Sequence, residues 1–168
     1  MNTHNPAVED SIERMIARSE ITALLHRYAN MAVENADFPG MAALFADDGV
    51  FVVLDGTAVP ASEMESIVGD NESVFLRHHL TTSHIEFTSA TTATADSYYI
   101  AFTNLKKPDH WGRWLDSVRL EDDGRWVFTS KQPVVEGYDP DGWIGSILYP
   151  ALRADGVTPL TDLITTPH

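Results

Sequence analysis

Between residues 19 and 35, apolar positions recur every three or four residues. They are Ile21, Leu24, Leu25, Tyr28 and Ala32. This spacing places them on one face of a helix whose other face is polar, and it predicts an amphipathic helix that covers an apolar surface. We expect the helix to begin near Asp10 or Ser11 and to end before Asp37.

A second, short helix is predicted to follow, because Asp37 is a suitable N-cap residue. Residues 50–54 are mostly β-branched or aromatic and end at a turn, so they predict a strand. Residues 57–60 are expected to connect this strand to another short helix. The motif Ser62-x-x-Glu65 is a capping box and marks where that helix begins.

Apolar and polar residues alternate in the second half of the chain, as they do in half-buried strands. The alternation predicts four strands separated by turn signals, at 84–87, 92–104, 112–121 and 126–135. Short connections between successive strands favour an antiparallel sheet, and helices grouped at one end make the fold α+β. Such a sheet is expected to curve.

Glycine, proline and aspartate become frequent after Gly137. One amphipathic stretch, residues 143–149, lies in this region and is expected to be a short helix or a lid. It could cover the mouth of a pocket or a subunit interface, and the pattern leaves both open. The chain therefore divides into a flexible N-terminus at 1–10, a domain at 11–137 and a C-terminal extension at 138–168.

Composition narrows the classes of function. The 168 residues suffice for one domain, and they include no cysteine, which excludes disulfides and thiolate chemistry. The net charge of -14 makes nucleic acid or an anionic membrane an improbable partner. No apolar run approaches the ~20 residues that span a bilayer, and the N-terminus lacks the pattern of a signal peptide. A soluble, cytoplasmic protein is the expectation.

Asp116 is the most informative position in the strand predicted at 112–121. It shares one face with Trp114, Val118 and Leu120, whereas the other face carries Arg113, Leu115, Ser117 and Arg119. A carboxylate on an apolar face must find a partner or take up a proton. Asp116 therefore bonds an internal Arg or His, lies in a wet pocket, or belongs to a structural ion pair.

Two histidines, His78 and His79, are neighbours, so on an extended chain at most one of them faces the interior. The pattern alone does not say which. Histidines and a glutamate crowd this region as metal ligands would, but their spacing matches no known zinc or iron site, and no metal is expected. The crowded residues are His78, His79, His84, Glu86 and His110.

Aromatic residues of the predicted sheet could form an apolar pocket for a ring-shaped ligand. Trp114 is favoured because it shares the face of Asp116, and Tyr98 and Phe102 are the further candidates for substrate binding.

Several motifs resemble the SnoaL-like branch of the nuclear transport factor 2-like superfamily. In the first third of the chain they are Glu20-Ile21, Leu24-Leu25, Tyr28-Ala29, Glu34, Phe38 and the run 44–51. Farther along they are 77–81, 92–95, 112–116 and 122–126. The resemblance implies a sheet wrapped into a cone whose mouth is closed by the N-terminal helices. It also implies an enzyme that needs no cofactor and forms a homodimer or homotrimer.

The resemblance also suggests site residues. His78 stands where several members hold a catalytic histidine, and Glu34 stands near the aspartate that pairs with it. Thr82 replaces an asparagine of the family, which removes one pocket amide. Glu34 is one methylene longer than the usual aspartate and lies one position later, and Asp37 competes with it but is already the expected N-cap.

These groups suit proton transfer on a hydrophobic small molecule. Glu34 would orient His78, which would act as general base and then as general acid. Tyr28 or Asp116 would stabilise or protonate an oxygen. The first hypothesis is thus a dehydratase, isomerase or cyclase acting on a polycyclic or polyketide-like carbonyl compound of secondary metabolism. The alternative is a non-catalytic ligand-binding or assembly subunit, such as the small subunit of a ring-hydroxylating dioxygenase.

Overall fold

The computed structural model describes residues 6–33, 35–54, 56–68, 75–148 and 150. Within these ranges, helices α1 (Pro6–Met31) and α2 (Phe38–Ala42) precede the first strand, and α3 (Glu65–Val68) follows the second strand. The strands are β1 (Phe45–Val52), β2 (Ala58–Pro60), β3 (Leu76–Phe87), β4 (Thr92–Thr103), β5 (His110–Leu120) and β6 (Trp126–Tyr138). A 3-10 turn at Ala61–Glu63 precedes α3, and a π-helical turn at Ile144–Leu148 follows β6.

The six strands form one sheet in the order β2-β1-β6-β5-β4-β3. Neighbouring strands are antiparallel, except that β1 runs parallel to β6. Parallel neighbours need a long connection between them, and the chain between β1 and β6 is long enough to provide it. The predicted α+β class is confirmed, and this pairing is the one departure from an antiparallel sheet.

Bulges bend the sheet. The register shifts between Leu80 and Ser83 in β3, and between Trp111 and Gly112 and between Ser117 and Val118 in β5. An extra residue in one strand increases the local twist and curvature. The sheet is therefore curved but not closed, and α1 lies against its concave face.

The core forms where α1 meets this face. Ile21, Leu24, Leu25 and Tyr28 are buried, as their helical spacing predicts. At the start of α2, an Asp37 carboxylate oxygen accepts a hydrogen bond from the Gly40 amide at 2.9 Å, which confirms the predicted N-cap.

Several element boundaries differ from the predictions. The helix α1 begins at Pro6 rather than near Asp10, and β1 begins at Phe45 rather than Val50. Residues 58–60 form the edge strand β2, and β3 is one continuous strand from Leu76. The prediction of a capping box at Ser62 is wrong, because Ser62 lies inside the 3-10 turn and Pro60 is the N-cap of that turn.

Candidate active site

A cavity of about 140 Å³ lies between the concave face of the sheet and the helices. An apolar cavity of this size holds roughly one benzene ring. Most of its lining is aliphatic or aromatic, and the side chains that bring polar chemistry to it are Tyr28, His78, His110, Trp114 and Lys131. A mostly apolar cavity with a few convergent polar groups is typical of a small-molecule site.

His78 points into the cavity from β3, whereas its neighbour His79 is exposed on the outer face. The Nδ1 atom of His78 lies 3.1 Å from the main-chain oxygen of Ala32, just beyond the end of α1. A carbonyl oxygen only accepts hydrogen bonds, so Nδ1 carries the proton and the lone pair of Nε2 is left available. Burial of the ring, together with the nearby His110, lowers the pKa of His78 from 6.5 to about 3. The imidazole is therefore neutral at physiological pH.

Glu34, the predicted partner of His78, lies outside the described residues. Its pairing with His78 stays a prediction.

His110 and Asp109 form a histidine-carboxylate pair at the start of β5. The Nδ1 atom of His110 is 2.8 Å from Oδ1 of Asp109, and both side chains are buried. The ring of His110 lines the cavity, with its centroid 5.7 Å from that of His78. Burial opposes ionisation of Asp109, but hydrogen bonds from His110, Thr103 and the Trp143 amide outweigh it and lower the pKa of the carboxyl. The carboxylate thus holds the His110 ring with Nε2 as its remaining nitrogen.

Asp116 is buried on the concave side, as predicted, and its partner is Lys131 of β6. The Lys131 ammonium lies 3.1 Å and 3.0 Å from the two carboxylate oxygens. It also lies 3.8 Å from the ring centroid of Trp114 and 4.3 Å from that of Tyr28. Burial raises the pKa of Asp116 and lowers that of Lys131, while each charge favours the other. Lys131 lines the cavity, so Asp116 acts on the site through it.

Tyr28 and Trp114 both line the cavity. The Tyr28 hydroxyl donates a long 3.5 Å hydrogen bond to the Met64 sulfur, and its ring packs edge-on against Trp114 at 5.5 Å between centroids. Burial, and secondarily the charge of Asp116, raises the pKa of Tyr28, so the phenol keeps its proton.

Tyr98 and Phe102, predicted to bind substrate, do not line this cavity, and the structure does not bring them together with the other site residues. Tyr98 is 48% exposed, and Phe102 packs against His79 on the outer face, at 5.1 Å between ring centroids. Side chains alternate between the two faces of β4, so the residue in between, Tyr99, lines the cavity instead.

The segment after β6 closes one side of the cavity. Trp143, Ile144 and Leu148 are buried and line it. The predicted amphipathic stretch at 143–149 thus covers a pocket, although residue 149 is outside the described part.

Sequence reasoning missed three residues of the site: His110, Asp109 and Lys131. A signal for His110 did exist, because it continues the alternation of Trp114 and Asp116 backward along β5. Among the described residues, no three histidine, aspartate or glutamate side chains cluster as metal ligands do. Likewise, no helix in the described ranges has the length and apolar character needed to cross a membrane.

The SnoaL-like domain family matches residues 13–132 of the sequence. Similar folds occur in a protein assigned as a scytalone dehydratase from Novosphingobium aromaticivorans (20% identity, TM-score 0.61, covering 73% of this chain and 85% of that one). They also occur in hexachlorocyclohexane dehydrochlorinase LinA-type3 from Novosphingobium barchaimii (17%, 0.64, 77% and 92%). ActVI-ORFA from Streptomyces coelicolor is a third (20%, 0.61, 71% and 97%). No curated protein matches significantly.

Proposed function

Because the chain belongs to the SnoaL-like domain family, we propose that it is a cofactor-independent enzyme that moves protons on a small, apolar carbonyl compound. Dehydration or isomerisation of a β-hydroxy or unsaturated ketone is the reaction class that suits the cavity best. The observation that carries the proposal is the buried Asp109–His110 pair, 2.8 Å between Oδ1 and Nδ1, beside the neutral His78.

In this proposal His110 takes the α-proton of the substrate through Nε2. The imidazolium that forms is stabilised by Asp109, since a buried carboxylate favours the charged form of a bonded histidine. The same imidazolium then returns the proton to the leaving hydroxyl, releasing water, or to another carbon, giving an isomer. Protonating His78 is costlier because burial lowers its pKa, so its neutral Nε2 would accept a hydrogen bond from the substrate hydroxyl.

The negative charge that develops on the carbonyl oxygen needs stabilisation. Lys131 supplies a positive charge at the cavity wall, held in place by both oxygens of Asp116. The Tyr28 hydroxyl is the neutral donor proposed for the same oxygen. Trp114 would form the wall against which a ring packs. The alternative is that His78 is the base and that Glu34 pairs with it.

The size of the cavity favours a single ring rather than a large polycycle, since about 140 Å³ is near the volume of a benzene site. Two proteins with similar folds have names that describe elimination reactions, a scytalone dehydratase and a hexachlorocyclohexane dehydrochlorinase.

Homo-oligomers are also proposed, because the outer face of the sheet carries exposed Tyr98, Ile100 and Trp111. Light scattering on the purified protein tests this point.

The experiment uses two one-ring probes. Elimination of water from 3-hydroxycyclohexanone is followed by the ultraviolet absorbance of cyclohexenone, and exchange of the α-protons of cyclohexanone is followed by NMR in D₂O. The variants are His110→Gln and His78→Gln, with His79→Gln as the matched control on the outer face. We expect His110→Gln to lower both rates by about 100-fold, and the control to match the wild type.

Two results would overturn this proposal. One is a wild-type protein that accelerates neither probe over buffer, which favours the non-catalytic alternative. The other is a His110→Gln variant as active as His79→Gln. If His78→Gln alone abolished turnover, the base would be His78.

A further inference from the structure

Asp109 receives hydrogen bonds from three separate parts of the chain. Its Oδ2 atom accepts from the Trp143 amide at 2.5 Å and from the Thr103 hydroxyl at 2.7 Å. Its Oδ1 atom accepts from His110 at 2.8 Å and, more weakly, from the Ile144 amide at 3.4 Å. The side chain is fully buried. One carboxylate therefore joins the histidine, the end of β4 and the segment after β6.

The third of these parts, residues 143–148, is called the closing segment below. Its residues Trp143, Ile144 and Leu148 form one wall of the cavity, and the Trp143 ring lies 6.0 Å from the His110 ring. The amides that bond Asp109 belong to the first two residues of this segment. The contact that docks the wall is thus made by the same carboxylate that holds the histidine.

Gly142 makes this close docking feasible. A Cβ atom at this position would lie 2.6 Å from Oδ2 of Asp109, closer than a carbon and an oxygen approach without displacement. Any side chain there would push the closing segment away from the carboxylate. Glycine is therefore required by the contact between the segment and Asp109, and the atoms nearest to the added Cβ belong to Asp109 and Asp139.

We infer that Asp109 is a positioning residue that couples docking of the closing segment to the orientation and tautomer of His110. With the segment docked, Oδ2 is occupied by Trp143 and Thr103, so the carboxylate cannot rotate and Oδ1 faces Nδ1 of His110. With the segment released, two donors leave, water reaches the carboxylate, and the ring is held less firmly. Coupling of this kind is reciprocal, so a ligand that fixes His110 also favours the closed wall.

The inference rests on the proposed function only for the catalytic meaning of His110, and its test needs no turnover. Amide hydrogen exchange at Trp143 and Ile144 reports docking. The ¹⁵N signals of the His110 ring report which nitrogen carries the proton. Both are measured by NMR on the full chain in the wild type, Gly142→Ala and Asp109→Asn, with Ser146→Ala as the control. Ser146 belongs to the closing segment, and in the described part of the chain its hydroxyl donates to the Gly142 main-chain oxygen rather than to Asp109.

We expect Gly142→Ala to speed exchange at Trp143 by about tenfold, equivalent to about 1.4 kcal/mol, and to shift the His110 signals toward a mixture of tautomers. Asp109→Asn should do both, and Ser146→Ala neither. Faster exchange in Gly142→Ala with unchanged His110 signals would overturn the coupling, as would unchanged values of both. If Gly142→Ala does not fold, Ile144→Val weakens docking more gently, and the same two outcomes decide.

The rates with cyclohexanone and 3-hydroxycyclohexanone separate this inference from the proposed function. A coupled segment in a protein inactive on both probes would leave the coupling standing and remove the catalytic role. An active protein without coupling would do the reverse.

Discussion

His78 and His110 face each other across Ala101, the residue of β4 that pairs with both. Ala101 is the Cα partner of His78 in β3 and of His110 in β5. It is fully buried, and its single methyl group leaves the space in which the two rings approach to 5.7 Å between centroids. The curvature of the sheet brings together two side chains that a flat sheet would hold apart.

Replacing Ala101 by valine tests this arrangement. Extra methyl groups in a packed site force neighbouring side chains out of their positions and typically cost 1–3 kcal/mol. We expect Ala101→Val to lower the free energy of unfolding by about 2 kcal/mol and to slow turnover of 3-hydroxycyclohexanone. Urea unfolding and the absorbance assay measure the two effects. Ile100→Val is the control, because Ile100 lies on the outer face, and an equal effect in both variants would contradict the role of Ala101.

The buried pair of Asp116 and Lys131 gives a second prediction. Asp116→Asn leaves the ammonium buried without its carboxylate, and breaking a buried pair in this way costs about 3–5 kcal/mol. Replacing both partners, in the double variant Asp116→Asn with Lys131→Met, should recover most of the lost stability. Urea unfolding measures both. The exposed pair of Arg125 and Asp123 supplies the control, since Asp123→Asn should cost less than about 1 kcal/mol. Equal losses in the two single variants would refute the prediction.

The sequence predicts the fold better than the site, and β4 shows why. Amphipathic spacing located α1 and the long strands, because burial of one face constrains every residue along an element. The prediction that Tyr98 and Phe102 bind substrate rests instead on their size and aromatic character, not on spacing. The inner face of β4 instead carries mostly small residues such as Ala101, since it must leave space for a cavity.

The partner of Asp116 shows a second limit. Val118 pairs with Phe128, but Ser117 pairs with Ser130, because a bulge shifts the register by one residue between them. Without that bulge, Lys131 would not stand opposite Asp116. The bulge reverses which residues of β6 face inward, but residues 129–131 are all polar, so the pattern of apolar and polar residues does not reveal the reversal. The sequence therefore shows a buried carboxylate without showing its partner.

The Tyr28 hydroxyl provides a prediction that distinguishes an effect on stability from an effect on turnover. It makes only a long bond to the Met64 sulfur among the described residues, so its removal should cost little stability. We expect Tyr28→Phe to change the free energy of unfolding by less than about 1 kcal/mol. If the hydroxyl stabilises an oxyanion, turnover of 3-hydroxycyclohexanone should fall by at least about tenfold. Turnover equal to that of the wild type would remove Tyr28 from the mechanism and leave Lys131 as the proposed donor.

The last prediction concerns the pH dependence of stability. The pKa of His78 is about 3 in the folded protein, against an ordinary value of about 6.5 in an unfolded chain. Between these two values the unfolded state binds the proton and the folded state does not, so stability falls as the pH falls from about 6.5 toward about 3. Above pH 6.5 the ring is neutral in both states, and the stability is fully present. Within the window, the free energy of unfolding falls by about 1.4 kcal/mol for each pH unit.

Removing the imidazole removes this contribution. The free energy of unfolding of His78→Gln should therefore depend less steeply on pH than that of the wild type between pH 6 and about 4. Urea unfolding at a series of pH values measures the slopes, and His79→Gln on the outer face should retain the wild-type slope. NMR titration gives an independent check, because the His78 ring should stay neutral down to about pH 4. A midpoint near 6.5, or equal slopes in all three proteins, would mean that the ring is solvated and can take up a proton directly, and His78 would then compete with His110 as the base.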